Sequence, residues 1–430
     1  MNFSEAESYL YSLGNEVEAM KLGLENIRTL LSALGDPHEK YFKVQVAGTN
    51  GKGSVCAFLD SICRQADINT GLYTSPHLVS ITERIKIDGV DIGEDEFARL
   101  ASLVREKVET LLANGELSNL PTFFEQMTAI ALVAFAEARV ELAILETGLG
   151  GRLDATTAAN AEIAAITQIA LDHQEYLGET IEEIAAEKAA IIGTQTKAVI
   201  IGEQDDSVLP ILLKKAASFG IIPLTVCETI VSATDLSKHS RVVEFRTNRN
   251  YYWDSSLGLA GNHQIQNACV AVMVAETLSD RFGMAIDMES VWIGLETAHH
   301  PGRLEYFGNF LLDGAHNIAG TEALVAYLDE FVSKPITMMF GAMREKNVRE
   351  IAEILWPKAE RLILTQPANS RAMTANELLE FVPNGFDRDR VVLTDSVEYA
   401  LAAADSDDFV LVTGSLYLVG EVRRILASRI

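Results

Sequence analysis

Short apolar runs alternate with longer stretches of helical periodicity along most of the chain. In the first half the runs are YFKVQVAG, INTGLYT, VELAILET, AEIAAITQIA and TKAVIIG. Their apolar residues are nearly continuous, as expected of strands buried on both faces. Between them, residues 94–113 and 124–138 repeat apolar positions at helical spacing. Strand, helix, strand in that rhythm predicts a parallel sheet covered by helices on both sides.

From about Val226 to Leu259 the pattern changes to the polar–apolar alternation of SRVVEFRTN and NYYWDSS. That alternation predicts an antiparallel β insertion or edge, and a helix follows over 264–278. HHPGRLEYF then carries Pro301 and Gly302, breakers that suit a linker. Beyond it, NFLLDGAHN, PITMMFGAM, RLILTQPA, RVVLTD and DFVLVTGS are short apolar runs separated by helical segments. They predict a second doubly wound α/β domain. The expected division is 1–297 and 298–430, with no internal repeat or low-complexity tract.

Composition supports this picture and adds a puzzle. A chain of 430 residues exceeds what one core usually organises. At 48% hydrophobic and 22% charged it belongs with folded proteins. A net charge of -26 argues against a nucleic-acid partner. Any anionic ligand must therefore be met by local cations or a metal. MNFSEAESYL lacks the apolar core of a secretory signal, and no apolar run approaches the length of a membrane span, even AIALVAFA being stopped by Glu137. Cys56, Cys63, Cys227 and Cys269 form no C-x-x-C pair and read as buried thiols of a reducing cytoplasm.

Candidate chemistry gathers where the predicted strands end. VQVAGTNGKGSVCAFL reads as a strand, a glycine-rich turn and a helix N-terminus, a geometry suited to phosphate. Lys52 would reach the β- and γ-phosphates, with Ser54 and the backbone amides as the cradle. The usual G-x-x-x-x-G-K-[ST] spelling fails, because Val46 replaces the first glycine and Gly53 separates Lys52 from Ser54. A ligand-free β-to-α turn is the alternative. AILETGLGGRLDAT ends a strand at Glu146 and continues through three glycines to Arg152 and Asp154. It suits either a metal-bound phosphate or a tight turn with a Glu–Arg pair.

A third strand runs into Asp172 and His173, which admits Mg²⁺ ligation, although magnesium prefers oxygen to imidazole. Lys188, in a helix starting near Thr180, reads on spacing alone as a surface charge. The second domain offers Asp313, His316, Arg344 and Lys346, and the linker Arg303, each compatible with turn chemistry; Arg303 stands out because a hinge arginine would reach phosphates only when the domains close.

In this order GTNGKGS, YTSPHL, TFFE, LETGLGGRLDAT, LDHQEYLG, AAEKAAI, PGRLEYF, LLDGAHN and FGAMREKN resemble the motifs of folylpolyglutamate synthases and bacterial dihydrofolate synthases. These enzymes are ATP-dependent relatives of the Mur-type ligases. The resemblance runs from about Tyr9 to Val422 and makes Gly53 the family's own spelling of the phosphate loop. It implies an N-terminal P-loop ATP-binding domain with a small β insertion, a smaller Rossmann-like C-terminal domain that ligates glutamate, and catalysis in the cleft between them. It implies nucleotide contacts at Asn50, Gly51, Lys52, Gly53, Ser54, Asn267, Arg303 and Asp313, and Mg²⁺ ligands at Ser75, Glu146 and His173. The pterin substrate falls to Thr122, Phe123, Phe124, Glu125, Leu153, Asp154 and Ala155. Lys188 matches a lysine that is carbamylated in the family, and His316 belongs to the part that receives glutamate.

The implied reaction adds L-glutamate to dihydropteroate, to reduced folates, or to both. ATP converts the acceptor carboxylate to an acyl phosphate, which the glutamate amine attacks. The implied partners are these small molecules, with neither nucleic acid nor membrane, on a monomer. TFFE and LDA fit bifunctional members. The alternatives are a folylpolyglutamate synthase alone and, outside the family, a P-loop phosphotransferase or ATPase.

Overall fold

A computed structural model describes residues 1–14, 23–225, 228–235 and 240–429. It divides into two compact units. The first comprises Met1–Ser232, Val243–Gly258 and Ile265–His299, and the second Ala233–Val242, Leu259–Gln264 and His300–Ile430.

The first unit is built on a seven-stranded sheet. Its strands are β1 (Phe42–Ala47), β2 (Thr70–Tyr73), β3 (Ile85–Ile87), β4 (Val90–Asp91), β5 (Leu142–Glu146), β6 (Ile163–Ile166) and β7 (Ala198–Ile201), in the order β4-β3-β2-β5-β1-β6-β7. The five strands from β2 to β7 in that order are parallel, and all five were legible as apolar runs. Four of them are buried at every position, which is why the runs are continuous rather than alternating. The β3–β4 hairpin is antiparallel and was not anticipated. Its turn is Asp88-Gly89, both at positive φ, the dipeptide best able to adopt that conformation.

Helices cover the sheet, and several begin at capping boxes that the sequence spells out. Thr122–Glu125 starts the helix Phe123–Ala138, and Thr180–Glu183 starts Ile181–Ala189. The helix Glu94–Ala113 packs against Phe123–Ala138, sealing a core that includes Phe97, Phe135 and Leu145. A separate three-stranded sheet, β8 (Glu228–Asp235), β9 (Ser240–Arg246) and β10 (Tyr251–Ser256), accounts for the alternating segment. Val226 and Cys227 lie outside the described residues, so the expected burial of Cys227 lies there too. Cys56, Cys63 and Cys269 are buried. Among the described residues no helix is long and apolar enough to cross a membrane.

The second unit carries a six-stranded sheet of β11 (Glu305–Phe307), β12 (Phe310–Leu312), β13 (Thr337–Phe340), β14 (Arg361–Thr365), β15 (Val391–Thr394) and β16 (Val410–Thr413). Their order is β11-β12-β16-β13-β14-β15. All pairs are parallel except β11–β12. The core centres on Trp356, which meets the Phe340 ring edge-on at 5.4 Å.

Within the first unit the helix Met288–Thr297 lies tightly on Lys52–Gln65. Gly294 makes this possible, because a Cβ there would run into the backbone of Ile62. Gly294→Ala should therefore cost about 1–3 kcal/mol of stability, the usual range for overpacking. A shift in the urea midpoint checks this, and an unchanged midpoint would show that the two helices separate without strain.

Candidate active site

Sheet order lines up the predicted site residues. β2, β5, β1 and β6 are successive neighbours, so the segments leaving their carboxyl ends lie side by side. Ligands of α/β sheets bind at such ends. In the register, Val46 of β1 pairs with Glu146 of β5, and Tyr73 of β2 pairs with Leu145. Glu146 thus stands beside the start of the phosphate loop, and Ser75 follows just beyond β2. The Ser75 N–H donates to Glu146 Oε2 at 3.1 Å.

The phosphate loop is held from one side. Thr49 N donates to Gln168 O at 2.9 Å, and Thr49 Oγ1 and Ala170 exchange two hydrogen bonds. Thr167 Oγ1 donates to Asn50 O at 2.6 Å. These bonds strap residues 49–50 to the segment after β6. Gly51 caps the helix Lys52–Gln65 at φ 83°, and a Cβ there would strike the Asn267 amide. Glycine is required at that position for backbone and space alike. Asn267 therefore lies against the loop. Ser54 is buried in the first turn of the helix, next to Gly53. Cys56 is buried in the same helix, and burial pushes its thiol well up, with Glu146 adding to the rise and Lys52 opposing it.

Two lysines meet on one carbonyl. Lys52 Nζ donates to Gly48 O at 3.1 Å and to Thr49 O at 3.2 Å, while Lys188 Nζ donates to Gly48 O at 2.7 Å. Lys188 is only 4% exposed, which corrects the surface-charge reading. Spacing misled because Ile184, Ala185, Lys188 and Ala189 share the buried face of their helix. Burial, and then the charge of Lys52, push the Lys188 ammonium down to about 7, against the opposite pull of Asp172 and Asp154.

His173 sits in a left-handed conformation, φ 51°, at the start of a short helical turn, with its N–H on Asp172 Oδ1. β6 ends at Ile166, so Asp172 and His173 lie in the following loop rather than at the strand end itself. Arg152 pairs with Glu187 at 2.8 Å, which ties the glycine turn to the Lys188 helix. Gly151 is needed there, since a Cβ would meet the Glu187 carbonyl at 2.7 Å.

The two segments expected to hold the pterin touch one another. A Cβ on Gly148 would lie 2.6 Å from the Phe124 ring, and Tyr73 packs against that ring at 5.9 Å. Thr122 and Glu125 are the two halves of the capping box, with Glu125 Oε2 accepting from Thr122 N and Oγ1. Burial pushes the Glu125 carboxyl up. Asp154 is buried between Leu153 and Ala155 and accepts from Gly148 N, Leu149 N, Thr156 N and Thr156 Oγ1. Its carboxylate builds the glycine turn.

In the second unit Asp313 follows β12 and accepts from Leu304 N and Ala315 N. Burial raises its carboxyl, and the Arg303 guanidinium opposes the rise. His316 Nδ1 lies 2.8 Å from Gly314 O, so that nitrogen carries a proton. Arg344 pairs with Glu377.

One cluster was missed. Arg84 Nε donates to His77 Nδ1, His77 Nε2 lies 3.2 Å from Tyr11 Oη, and both Arg84 and Tyr11 cover Phe123. Burial, with Arg84 second, holds the His77 imidazole down to about 3. His77 stands inside YTSPHL, so the motif was a signal. Nothing local announces that Tyr11 and Phe123 meet.

Among the described residues no three His, Cys, Asp or Glu side chains form a metal cage. Glu146 stands beside the phosphate loop with its Oε2 accepting from the Ser75 N–H.

Comparison with known proteins bears on this geometry. Residues 46–275 match the Mur ligase middle domain and residues 302–416 the Mur ligase, glutamate ligase domain, so the two halves are those of a Mur-type ligase. The chain is 33% identical to a "Probable bifunctional folylpolyglutamate synthase/dihydropteroate synthase" of Halobacterium salinarum, over 98% of this chain but 51% of that one. It thus spans about half the length of that relative. It is also 33% identical to the dihydrofolate synthase/folylpolyglutamate synthase of Bacillus subtilis, over 99% of both chains. A solved Mycobacterium tuberculosis folylpolyglutamate synthase complexed with ADP superposes with a TM-score of 0.89 at 30% identity, covering 99% of this chain and 98% of that one. An FPGS complex with AMPPCP and folate gives 0.86 at 29%, covering 99% and 100%. The chain belongs to the folylpolyglutamate synthase/dihydrofolate synthase family of Mur ligases.

The depressed Lys188 has a thermodynamic consequence. Between about pH 7 and 10.5 the unfolded chain binds a proton that the folded chain has lost. Stability then rises with pH, by at most about 1.4 kcal/mol per unit. In carbon dioxide-free buffer without ligands, Lys188→Met should be the more stable protein below pH 7 and lose that advantage towards pH 10. Parallel urea curves for the two proteins would show a Lys188 charged in its burial instead.

Proposed function

We propose that the protein is an ATP-dependent ligase that adds L-glutamate to dihydropteroate and to reduced folates, using an acyl-phosphate intermediate. The observation that carries this reading is the convergence of Lys52, Lys188 and the Glu146–Ser75 pair on one phosphate loop. A turn without a ligand has no reason to bury a lysine against a second lysine. The nucleotide-bound and folate-bound relatives support the substrate classes.

In this reading Asn50, Gly51, Lys52, Gly53 and Ser54 cradle the ATP phosphates, and Asn267, Arg303 and Asp313 contact the nucleotide. Ser75, Glu146 and His173 would hold Mg²⁺, whose chemistry there is to spread the charge of the transferring phosphoryl group. Lys52 exchanges its carbonyl partners for phosphate oxygens and fixes positive charge where it develops. Thr122, Phe123, Phe124 and Glu125, with Leu153, Asp154 and Ala155, form the pterin wall. Asp154 contributes by shaping the turn. Lys188, held nearly neutral, is available for carbamylation, and His316 serves the glutamate end. The division 1–297 and 298–430 follows ATP binding and glutamate ligation. Buried thiols at Cys56, Cys63 and Cys269 support a reducing cytoplasm.

The test is release of ADP with each substrate omitted in turn. ATP turnover should require both glutamate and either dihydropteroate or a reduced folate. Turnover without glutamate would favour a simple ATPase, and turnover with reduced folate only would favour the monofunctional synthase. Glu146→Gln should lower magnesium-dependent ligation by about 100-fold with an unchanged circular dichroism spectrum. Wild-type turnover in that variant at low magnesium would remove Glu146 from the site.

A further inference from the structure

We infer that Gln204 is a positioning residue for the nucleotide phosphates, its side-chain carboxamide acting as one more rung of the sheet that holds the phosphate loop. The inference rests on the phosphate-loop reading above and adds a residue which that reading leaves out.

The ladder between β6 and β7 closes with Ile166 facing Ile201, and just beyond it Gly202 N donates to Ile166 O at 2.8 Å. Past that point the Gln204 side chain takes over. Its Nε2 donates to Thr167 O at 2.8 Å, and its Oε1 accepts from Ile169 N at 3.1 Å. In a parallel ladder one residue bonds the C=O before and the N–H after the position it faces. The carboxamide of Gln204 copies that pattern around Gln168, so it stands in for a backbone peptide where β7 has already turned away.

The segment so held is the one that straps the phosphate loop. Gln168 O accepts from Thr49 N at 2.9 Å and from Asn50 N at 3.4 Å. Thr167 Oγ1 donates to Asn50 O, in space that Gly48 leaves by lacking a Cβ. Ala170 exchanges two bonds with Thr49 Oγ1. Each strap starts from a residue that Gln204 touches or from that residue's neighbour. On the far side, the carbonyls of Gly48 and Thr49 hold Lys52, and the helix N–H groups after Gly51 complete an anion cradle. Slack in 167–170 would therefore displace Lys52 and these amides together. Satisfying two backbone groups does not by itself need a glutamine. Gln204 is half-buried, so water at that rim could serve either group alone. Water would leave the spacing of Thr167 and Ile169 free, whereas one planar carboxamide bonded at both ends fixes it. Donors fixed beforehand bind an anion more tightly than donors that must be ordered on binding.

The experiment uses the full chain and titrates AMPPCP with magnesium by calorimetry. Amide hydrogen exchange without ligand, the thermal midpoint and the KM values for ATP and glutamate are measured alongside. Gln204→Leu keeps the size of the side chain and removes both bonds. The AMPPCP Kd and the KM for ATP should each rise about tenfold, while the KM for glutamate stays at its wild-type value. Exchange at Thr49 and Asn50 should quicken, and exchange across 42–46 should not. Thr49→Val removes one strap directly, so the double variant should lose less affinity than the product of the two single losses. Wild-type AMPPCP affinity and wild-type exchange in Gln204→Leu overturn the inference. So does exchange that quickens equally across 42–46 with a lowered midpoint, which marks a merely structural residue. If Gln204→Leu does not fold, Gln204→Glu decides alone: it keeps the acceptor for Ile169 N, loses the donor to Thr167 O, and should raise the AMPPCP Kd about threefold. A Lys52→Ala protein that binds AMPPCP as tightly as wild type removes the phosphate-loop reading and the inference with it. Weakened binding in Lys52→Ala beside wild-type binding in Gln204→Leu removes the inference only.

Discussion

The pairing of β1 with β5 and β6 is the constraint on which the site depends. Val46 faces Glu146 on one side, and Ala47 faces Ile166 on the other. Side chains alternate along a strand, so a slip of one residue in the β1–β5 ladder would turn Glu146 away from the phosphate loop. Burial protects the register. Every residue of β5 and β6 is buried, and a slip would move these apolar sets out of their packing on both faces. The chemistry at the strand ends is therefore held by the hydrophobic core of the strands themselves.

Close approach of backbone does the rest. Gly48, Gly51, Gly148 and Gly151 each lie where a Cβ would collide with a neighbour, respectively Thr167, Asn267, Phe124 and the Glu187 carbonyl. The glycine-rich motifs are tight contacts between elements distant in sequence. They draw the phosphate loop, the Phe124 ring and the Lys188 helix into one neighbourhood. Gly48 is where these threads cross, because its carbonyl receives both lysines. Moving either lysine changes the electrostatics of the other.

The sequence made the strands plain, because continuous apolar runs bounded by glycine have few other readings. The helix start near Thr180 was legible too, whereas the capping boxes at Thr122 and Thr180 went unread although their partners lie three residues away. The Asp88-Gly89 hairpin was spelled as clearly and was passed over among the longer runs. Lys188 shows where local reading ends. Its helix is amphipathic in a way that places a lysine on the buried side, and only the tertiary partners, Gly48 and Lys52, give that placement a purpose. Asp154 shows the converse. A polar residue inside a recognised motif reads as a ligand contact, yet its oxygens are engaged by the turn it builds. The Tyr11–Phe123 contact, between residues far apart in the chain, follows from the fold and from nothing shorter.

The charge puzzle resolves on the same distances. A net -26 is spread over a long chain, and salt screens exposed charges beyond about 8 Å. Lys52 stands instead in a partly desolvated position, where the effective dielectric is lower and a cation counts for more. Helix N-terminal N–H groups after Gly51 add to it without any net charge. The depression of Lys188 sets a limit to this arrangement. Burial, with the charge of Lys52 second, brings the Lys188 proton off near neutral pH. The fixed positive potential at the loop then owes more to the helix N-terminal N–H groups than to Lys188.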